Sequence, residues 1–296
     1  MDTGLGSRFD ADALGFALVF VSAAGFGTLG IFGVYAQRAG LSIPTVLVFR
    51  FVLGSAFVWT ALAARGRARL LRGRTLGVAV ALGALGYATM SGLYFVGLEF
   101  MTAGMVAIVL YTYPAFVVLL AAVAVGESVG RTTVLALCLA LSGVALAVGA
   151  NPAGASPTGV LVVLAAAVAY AAYITVSRAA LDDTDSLVLT AHVLPAAAVT
   201  FLVVGAATGD LAVPRAPTDW AILVGVAALA TAVPVFAFFA GLERLGASRA
   251  GIVSTVEPPI TVALGALLFA EPVTAVTVAG GALVLGAVVL LQSSPG

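Results

Sequence analysis

The chain has 296 residues, of which 62% are hydrophobic and only 9% are charged, and its mean hydropathy is +1.19. Soluble domains carry about 25% charged residues, so this composition excludes an ordinary water-soluble protein and indicates that lipid surrounds most of the chain. The formal net charge is zero. It provides no general attraction to nucleic acid, and we expect no nucleic-acid partner.

The predicted elements are membrane-spanning helices, because apolar runs of about 20 residues follow one another along the chain. The first run, Leu14–Ala36, is longer than the roughly 7–15 apolar residues of a signal-peptide core, and we interpret it as a retained membrane helix. Short breaks with turn signals, such as Asn151–Gly154, separate the runs. The ten predicted spans are residues 13–36, 43–63, 75–97, 102–125, 132–150, 157–179, 186–208, 218–241, 247–270 and 273–292. The sequence therefore predicts an all-α polytopic membrane protein with ten transmembrane helices.

The distribution of arginine predicts the orientation of these helices. With the N-terminus in the cytoplasm, ten arginines fall in inner segments, including the cluster from Arg65 to Arg74, and two, Arg38 and Arg215, fall in outer loops. Cytoplasmic loops of membrane proteins are enriched in basic residues. We therefore expect a plasma-membrane protein whose N- and C-termini are both cytoplasmic.

An internal repeat is the most informative feature of the sequence. When the chain is shifted by 144 residues it aligns with itself without a gap, and the matching residues include prolines and charged residues. The matched pairs include Gly97–Glu99 with Gly241–Glu243, Pro114 with Pro258, and Glu127 with Glu271. We predict two five-helix repeats, residues 1–150 and 151–296. Because five is an odd number, the second repeat enters the membrane in the opposite sense, as in the inverted repeats of many secondary transporters.

This pattern resembles the EamA type of the drug/metabolite transporter superfamily over almost the whole chain. The resemblance rests on the two five-helix repeats, on Pro114 in the fourth helix and Pro258 in the ninth, and on an acidic residue just after each of these helices, Glu127 and Glu271. It implies export or exchange of amino acids, other metabolites or toxic compounds through a central cavity. The chain departs from the family pattern at the double proline Pro258–Pro259, which is preceded by the acidic residue Glu257.

Glu257 lies near the centre of the ninth predicted helix and is the first candidate for a functional residue. A charged side chain at this depth costs roughly 2.5–3.5 kcal/mol on insertion scales, so it normally faces an interior cavity. Pro258 and Pro259 have no N–H, so the carbonyl groups of Ser254 and Thr255 lose their helical donors. We therefore predict a cation or proton site, in which burial favours the protonated carboxyl and allows protons to be coupled to transport. The alternative is a neutral Glu257 that is hydrogen-bonded to a neighbouring helix for structural reasons.

Tyrosines and small hydroxyl side chains on other helices form a second set of candidates. Aromatic walls with a few hydroxyls suit an amphipathic solute and can hold an ammonium group by cation–π attraction, although ordinary helix packing would also use them. The candidates for substrate binding or coupling are Tyr87, Ser91, Tyr94, Tyr111, Tyr113, Tyr170, Tyr173, Ser254, Glu257 and Arg50. The candidate helix breaks or hinges are Pro114, Pro234, Pro258 and Pro259.

Two basic side chains within predicted helices have more than one interpretation. Arg50 lies about seven residues into the second helix. Its long side chain could snorkel to the outer surface, hold an anionic group of a solute, or pair with an acidic side chain. His192, near the start of the seventh helix, is expected either to be hydrogen-bonded packing or to take part in a proton relay.

Several residues are assigned structural roles. Glu127 and Glu271 are predicted to cap helices or to join the two repeats. The arginine cluster from Arg65 to Arg74 is expected to face anionic lipids of the inner leaflet. Four glycines of the first helix are expected to allow close approach of its neighbours, namely Gly25, Gly27, Gly30 and Gly33.

The sequence favours a secondary-active transporter that exports a small-molecule substrate through a cavity near the middle of the bilayer. It contains no Walker-type phosphate-binding loop, and we expect no cofactor, no metal and no enzymatic activity. The nearest alternative is a nucleotide-sugar or sugar-phosphate exchanger, but phosphate groups usually require clustered arginine or lysine, and Arg50 alone is available within the membrane. An intramembrane enzyme would require a nucleophile–base pair or metal ligands, and a non-transporting scaffold would leave Glu257 unexplained.

Overall fold

The computed structural model describes residues 3–125, 131–150, 156–180 and 184–293, and within these ranges all regular secondary structure is helical. The α-helices are α1 Thr3–Gly27, α2 Leu29–Arg38, α3 Ile43–Ala64, α4 Gly73–Ala81, α5 Ala88–Gly97, α6 Ala103–Leu110, α7 Tyr113–Val125, α8 Arg131–Ala150, α9 Pro157–Ala180, α10 Ser186–Thr208, α11 Pro217–Ala227, α12 Val233–Leu245, α13 Ala247–Ser254, α14 Glu257–Phe269 and α15 Ala275–Ser293. Two π-helical segments, Leu82–Tyr87 and Ala228–Ala232, join α4 to α5 and α11 to α12.

Eight helical stretches in the described ranges are long and apolar enough to cross a membrane. They are Ala13–Arg38, Ile43–Ala64, Gly73–Gly97, Ala103–Leu120, Pro157–Ser177, Ser186–Thr208, Pro217–Leu245 and Arg249–Phe269. Two shorter apolar helices, Val134–Ala147 and Ala275–Leu291, coincide with the fifth and tenth predicted spans. The prediction of an all-helical, multi-pass chain is thus confirmed, whereas the full count of ten spans stays a prediction.

Side-chain caps fix where individual helices begin. The hydroxyl of Thr102 accepts a hydrogen bond from the Met105 N–H (3.3 Å) at the start of α6. Oδ1 of Asp185 accepts one from the Leu187 N–H (2.9 Å) at the start of α10. The first N–H groups of a helix have no partner within it, so these polar side chains supply the partners that lipid tails cannot.

Two membrane-crossing helices are broken at positions 144 residues apart. α6 gives way to α7 at Tyr111–Thr112, and α13 gives way to α14 at Thr255–Val256. Pro114 and Pro258 lie at the start of the second helix in each case, where the missing proline N–H removes an intrahelical hydrogen bond. The helix boundaries on both sides of the two breaks keep the same spacing of 144 residues.

The second π segment is held by side chains from inside and outside its own helix. The hydroxyl of Thr231 donates to the carbonyl of Val226 (2.9 Å), and Nε of Arg50 donates to the Thr231 oxygen (2.9 Å). Pro234 lies two residues after the end of this segment. A π segment interrupts the regular i→i−4 ladder, so side-chain partners take over where water is absent.

The two halves of the chain pack in a reciprocal pattern. Helix α1 of the first half packs against α12 of the second, and α5 packs against α9, which is the same pairing with the halves exchanged. Equivalent helices also pack against each other, as α3 does with α10 and α8 does with α15. Such reciprocity is what an approximate two-fold relation between the halves would give.

The bundle has two distinct ends. We name the end where α6 begins and α14 finishes the Glu271 end, and the end where α4 and α10 begin the His192 end. At the Glu271 end, the hydroxyl of Ser42 donates to the carbonyl of Asp210 (2.5 Å) and so joins the start of α3 to the end of α10. At the His192 end, the N–H of Leu71 donates to Nε2 of His192 (3.2 Å) and joins the approach to α4 to α10.

Candidate functional site

The two helix breaks lie side by side, because α6 and α14 pack against each other. Tyr111, at the end of α6, donates its hydroxyl proton to the carbonyl of Ser254 (2.5 Å), and the same hydroxyl oxygen lies 3.1 Å from Oε2 of Glu257. The Ser254 carbonyl is the one that Pro258 leaves without a helical donor. A tyrosine of the first half therefore supplies the hydrogen-bond donor that the Ser254 carbonyl lacks at the break in the second half. The expectation that this carbonyl has no donor was wrong.

The contact between Tyr111 and Glu257 depends on where the protons are. A phenol has one proton to donate, while a protonated carboxyl has one as well. With Glu257 protonated, its O–H can donate to the Tyr111 oxygen while Tyr111 donates to Ser254, so that every proton has an acceptor. With Glu257 ionised, the carboxylate and the Ser254 carbonyl compete for the single Tyr111 proton. The site thus distinguishes two protonation states of Glu257 by a change of hydrogen bonds.

Glu257 opens onto a cavity of about 200 Å³ near the middle of the bundle. The cavity is lined by Phe26, Tyr87, Tyr111, Tyr113, Tyr170, Tyr173, Thr190, Val193, Leu194, Val235, Phe238, Phe239, Ser254 and Glu257. Among these lining residues Glu257 is the only one with a chargeable carboxyl or basic group. The cavity therefore combines a single carboxyl with a wall that is mainly aromatic.

The five cavity tyrosines form a continuous chain of ring contacts. Tyr111 contacts Tyr113 with 5.8 Å between ring centroids, and Tyr113 contacts Tyr170 at 4.7 Å. Tyr170 continues to Tyr173 at 6.2 Å, and Tyr173 to Tyr87 at 5.5 Å. Ring contacts in this distance range stabilise aromatic clusters. The face of an aromatic ring is electrostatically negative, so rings that line a cavity can attract a cation.

The cavity extends toward the His192 end and is closed toward the Glu271 end. Thr190, one turn into α10, and Phe238, midway along α12, belong to its lining. On the other side Tyr94 is buried and packs so closely on α2 that a Cβ at Gly30 would lie 3.0 Å from the Tyr94 hydroxyl and 3.0 Å from Cβ of Ala103. This packed layer separates the cavity from the Glu271 end.

Glu271 caps a helix of the other half. Its Oε1 accepts a hydrogen bond from the Ala103 N–H (2.9 Å), and its Oε2 accepts one from the Gly104 N–H (3.2 Å), at the start of α6. A Cβ at Gly265 would lie 2.3 Å from the Glu271 carboxylate, so α14 fits around this contact only because it has glycine there. The structure matches the expectation that Glu271 joins the halves. Glu127 lies outside the described residues.

Arg50 is enclosed in the bundle and does not snorkel. Its side chain is 2% exposed, its Nε donates to Thr231, and its guanidinium lies 5.0 Å from the ring centroid of Phe51. Its Nη1 has no hydrogen-bond partner. Arg50 is absent from the cavity lining, and no ion pair joins it to an acidic side chain in the described ranges. The snorkelling alternative is therefore wrong, because the guanidinium is held in the interior by a hydroxyl and a ring face.

The structure brings together seven of the ten candidate site residues. Those that line the cavity are Tyr87, Tyr111, Tyr113, Tyr170, Tyr173, Ser254 and Glu257, whereas Ser91, Tyr94 and Arg50 are buried outside its lining. The candidate prolines follow the two helix breaks and the second π segment. Sequence reasoning missed the apolar wall, which includes Phe26, Phe238 and Phe239. In a chain with so many apolar residues, no local signal distinguishes these phenylalanines from lipid-facing ones.

A larger hollow of about 510 Å³ lies between α14 and α15, with α6 behind it. Pro258, Pro259 and Val262 belong to its lining, which is almost wholly apolar. It offers no charged group to a solute, whereas the smaller cavity contains Glu257. We therefore take the smaller cavity as the candidate site.

Comparison with known proteins identifies the family. The sequence model of the EamA-like transporter family matches residues 13–149 and, again, residues 157–293. The chain belongs to the EamA-like transporter family. An uncharacterized transporter of Archaeoglobus fulgidus is 27% identical to this EamA-like chain over 210 residues, which are 69% of this chain and 73% of that protein. The uncharacterized transporter YcbK of Bacillus subtilis is 24% identical over 285 residues, 93% of this chain and 91% of that protein.

A solved protein structure resembles this EamA-like fold with a TM-score of 0.66, covering 93% of this chain and 95% of that chain at 19% identity. An identity this low shows the shared fold alone. The family match and the named relatives confirm that the chain is a multi-pass membrane transporter, which acts in a lipid bilayer on a small-molecule substrate.

Proposed function

We propose that this EamA-like protein is a secondary-active exporter of small amphipathic solutes that carry an ammonium or other cationic group. These include metabolites, amino acids and toxic compounds. The observation that carries the proposal is the position of Glu257, a carboxyl at a helix break that opens into a tyrosine-lined cavity. A cationic solute and a proton would compete for this carboxyl, so that the movement of one drives the movement of the other.

The aromatic wall supports a cationic amphipathic substrate. A cation within about 6 Å of a ring centroid gains roughly 0.5–2 kcal/mol, with the larger value in a dry site. The linked rings from Tyr111 to Tyr87 provide several such faces, and the phenyl rings of Phe238 and Phe239 add apolar area for the rest of the molecule. A volume of about 200 Å³ fits a small solute and would have to enlarge for a drug-sized one.

Alternating access would come from ten spans in two inverted repeats, residues 1–150 and 151–296. The equal spacing of the two helix breaks and the reciprocal packing of the halves support this arrangement. Two similar bundles set in opposite senses can rock about a central site, so that each opens what the other closes. Pro114, Pro234, Pro258 and Pro259 are the proposed bending points, because each lies beside an interrupted hydrogen-bond ladder.

The arginine distribution supports a plasma-membrane orientation with both termini in the cytoplasm. The His192 end would then face the cytoplasm and the Glu271 end the outside. A cavity that extends toward the His192 end would receive its solute from the cytoplasm, which is the starting state of an exporter.

The sugar-phosphate exchanger remains the second transport hypothesis, and the geometry disfavours it. Phosphate recognition generally uses arginine or lysine as a direct donor. The described cavity lining contains neither, and Arg50 is outside it. Binding of a phosphate ester would require a second conformation in which Arg50 reaches the cavity.

Transport in proteoliposomes tests the proposal directly. The protein is reconstituted in vesicles with an imposed pH gradient, and uptake of the lipophilic cation ethidium is followed by fluorescence. We expect pH-gradient-driven uptake that Glu257→Gln reduces at least tenfold, because the amide cannot exchange a proton for the cation. Glu243→Gln is the matched control, since Glu243 is exposed late in α12 and outside the cavity. Uptake that is equal in wild type and Glu257→Gln would remove Glu257 from the mechanism.

A further inference from the structure

A third hollow lies beside α10 and does not include Glu257 in its lining. This α4–α10 groove has a volume of about 660 Å³, and its lining includes Trp59, Leu70, Leu76, His192, Val199 and Thr200. Several large apolar side chains along the groove are exposed, including Leu70 (71%) and Val203 (61%). Along α10 the groove runs from Ala191 to Val204, a rise of about 20 Å, which exceeds half of the roughly 30 Å hydrocarbon core.

The polar side chains of the groove wall are all satisfied within the protein. The indole N–H of Trp59 donates to the carbonyl of Ala191 (2.9 Å), which Pro195 leaves without its helical donor. The hydroxyl of Thr200 donates to the carbonyl of Ala84 (3.0 Å). The interior of the groove therefore presents apolar surface, which fits hydrocarbon rather than a polar solute.

His192 is satisfied on both ring nitrogens. Its Nδ1 lies 2.8 Å from the carbonyl of Val188 and must donate to it, while Nε2 accepts from the N–H of Leu71 (3.2 Å). These two bonds fix the neutral tautomer with the proton on Nδ1. In this tautomer His192 carries no charge, so none of the side chains that line the groove is charged.

Three arginines of the chain stretch that borders the groove have no ion pair in the described ranges. Within the stretch from Arg65 to Arg74, Arg67 forms an ion pair with Asp185, and Arg65 lies over the ring of Phe236 (5.3 Å). The remaining three guanidinium groups are exposed and have no ion pair in the described ranges; they belong to Arg69, Arg72 and Arg74. Leu70 and Leu76 come from the same stretch and line the groove, so the basic segment of the chain borders its apolar surface.

We propose that the α4–α10 groove binds one anionic phospholipid, with an acyl chain along α10 and its phosphate held by Arg69, Arg72 and Arg74. Charge complementarity selects this occupant, because basic side chains at the headgroup level favour anionic lipids. The apolar interior receives the acyl chain. A zwitterionic lipid would fill the same groove without the charge attraction.

A lipid bound in the groove would affect the candidate site through α10, because this helix lines both the groove and the cavity. Ala191 and His192 face the groove, while Thr190, Val193 and Leu194 on the same two turns line the cavity. A bound acyl chain would hold α10 against α3 and so bias the width of the cavity. This consequence rests on the proposed function, whereas lipid binding itself does not.

Native mass spectrometry of the purified protein tests the binding. The protein is titrated with phosphatidylglycerol and with phosphatidylcholine of the same acyl chains. We expect one phosphatidylglycerol molecule to bind at least tenfold more tightly than phosphatidylcholine. The triple variant Arg69→Gln, Arg72→Gln, Arg74→Gln should lose roughly a hundredfold in affinity for phosphatidylglycerol. A control triple variant changes exposed arginines elsewhere (Arg131→Gln, Arg215→Gln, Arg244→Gln) and should retain the wild-type preference.

A groove-filling variant separates this site from general attraction to anionic lipid. Val199→Trp adds bulk to an exposed groove position (58% exposed) and leaves the arginines unchanged, so it should weaken both lipids at least tenfold. Equal affinity for the two lipids in wild type, equal losses in the two triple variants, or unaltered binding in Val199→Trp would each overturn the proposal. The proposal would also be overturned if two copies of the protein dimerised through the groove and Val199→Trp abolished that dimer. These binding measurements do not depend on ethidium transport, so the two proposals fail separately.

Discussion

The hydrogen bond from Tyr111 to Ser254 makes a prediction that can be worked out from the structure. Pro258 removes the helical donor of the Ser254 carbonyl, and the Tyr111 hydroxyl replaces it at 2.5 Å. Tyr111→Phe removes that hydroxyl and keeps the ring. The carbonyl is then left in an apolar bundle without a donor. Pro258→Ala restores an N–H at the position from which a regular helix would satisfy the same carbonyl.

The expected cost follows from the loss of one buried partner. A buried acceptor left without a donor costs about 1–3 kcal/mol, while interhelical hydrogen bonds in membrane proteins average about 0.6 kcal/mol and reach about 1.7. We therefore expect Tyr111→Phe to lower the free energy of unfolding by about 1–2 kcal/mol. In the Pro258→Ala background the same substitution should cost less than about 0.5 kcal/mol, because the backbone N–H that the alanine restores can replace the hydroxyl.

A double-mutant cycle measures this coupling. The four proteins are unfolded reversibly with sodium dodecyl sulfate in mixed micelles, and tryptophan fluorescence from Trp59 and Trp220 reports the transition. Tyr35→Phe serves as a control, because Tyr35 is 38% exposed and makes an edge-to-face contact with Phe269 without taking part in the break. Equal costs of Tyr111→Phe in both backgrounds would refute the reasoning, since they would show that the hydroxyl does not replace the missing helical donor.

Three further predictions concern other parts of the bundle. Glu271→Gln should lower the free energy of unfolding by about 1 kcal/mol, because the α6 N-terminus loses a charged cap; no change in the same micelle titration would show that the cap is dispensable. Gly25→Val should abolish folded protein in size-exclusion chromatography, since a Cβ there would lie 2.4 Å from Cγ of Pro234 and 2.7 Å from the Leu229 carbonyl, whereas Gly77→Ala, which has open space, should be tolerated. Burial opposes ionisation of Asp185, but the N–H groups of Leu187 and Val188 and the Arg67 guanidinium outweigh it and lower the pKa of its carboxyl. Its stabilisation is therefore present above the unfolded-state pKa of about 3.9 and is lost as the pH falls further; the difference in unfolding free energy between wild type and Asp185→Asn should shrink below about pH 4, and a pH-independent difference would contradict this.

The membrane helices and the family could be predicted well from the sequence, because both depend on properties averaged over long stretches of the chain. Apolar runs of sufficient length and a repeat at a fixed spacing survive individual substitutions. The interruption at Pro258 was equally accessible, since a proline within a helix always removes a donor. The general role of Glu271, as a helix cap or a contact between repeats, was predicted from its position, because an acidic side chain at a helix end has few other uses.

The partners of these residues could not be predicted in the same way. Tyr111 reaches Ser254 across 143 positions of the chain, and only the packing of α6 on α14 makes them neighbours. Pro234 indicated an interruption near the second π segment, but nothing local in the sequence indicated that Thr231 would lie beside Arg50. Phe238 and Phe239 line the cavity in a segment where every face is apolar. A helix that is apolar on every face inserts readily in lipid, but its sequence does not show which face lines a cavity.

Proton release on cation binding tests the role of Glu257 most directly. Binding of tetraphenylphosphonium to the purified protein is measured by calorimetry at pH 7 in buffers of different ionisation enthalpy, which gives the number of protons released. The account predicts between a few tenths and one proton per bound cation for wild type and for Glu243→Gln, and none for Glu257→Gln. Tight binding that releases no proton in wild type, or the same release from Glu257→Gln, would contradict it.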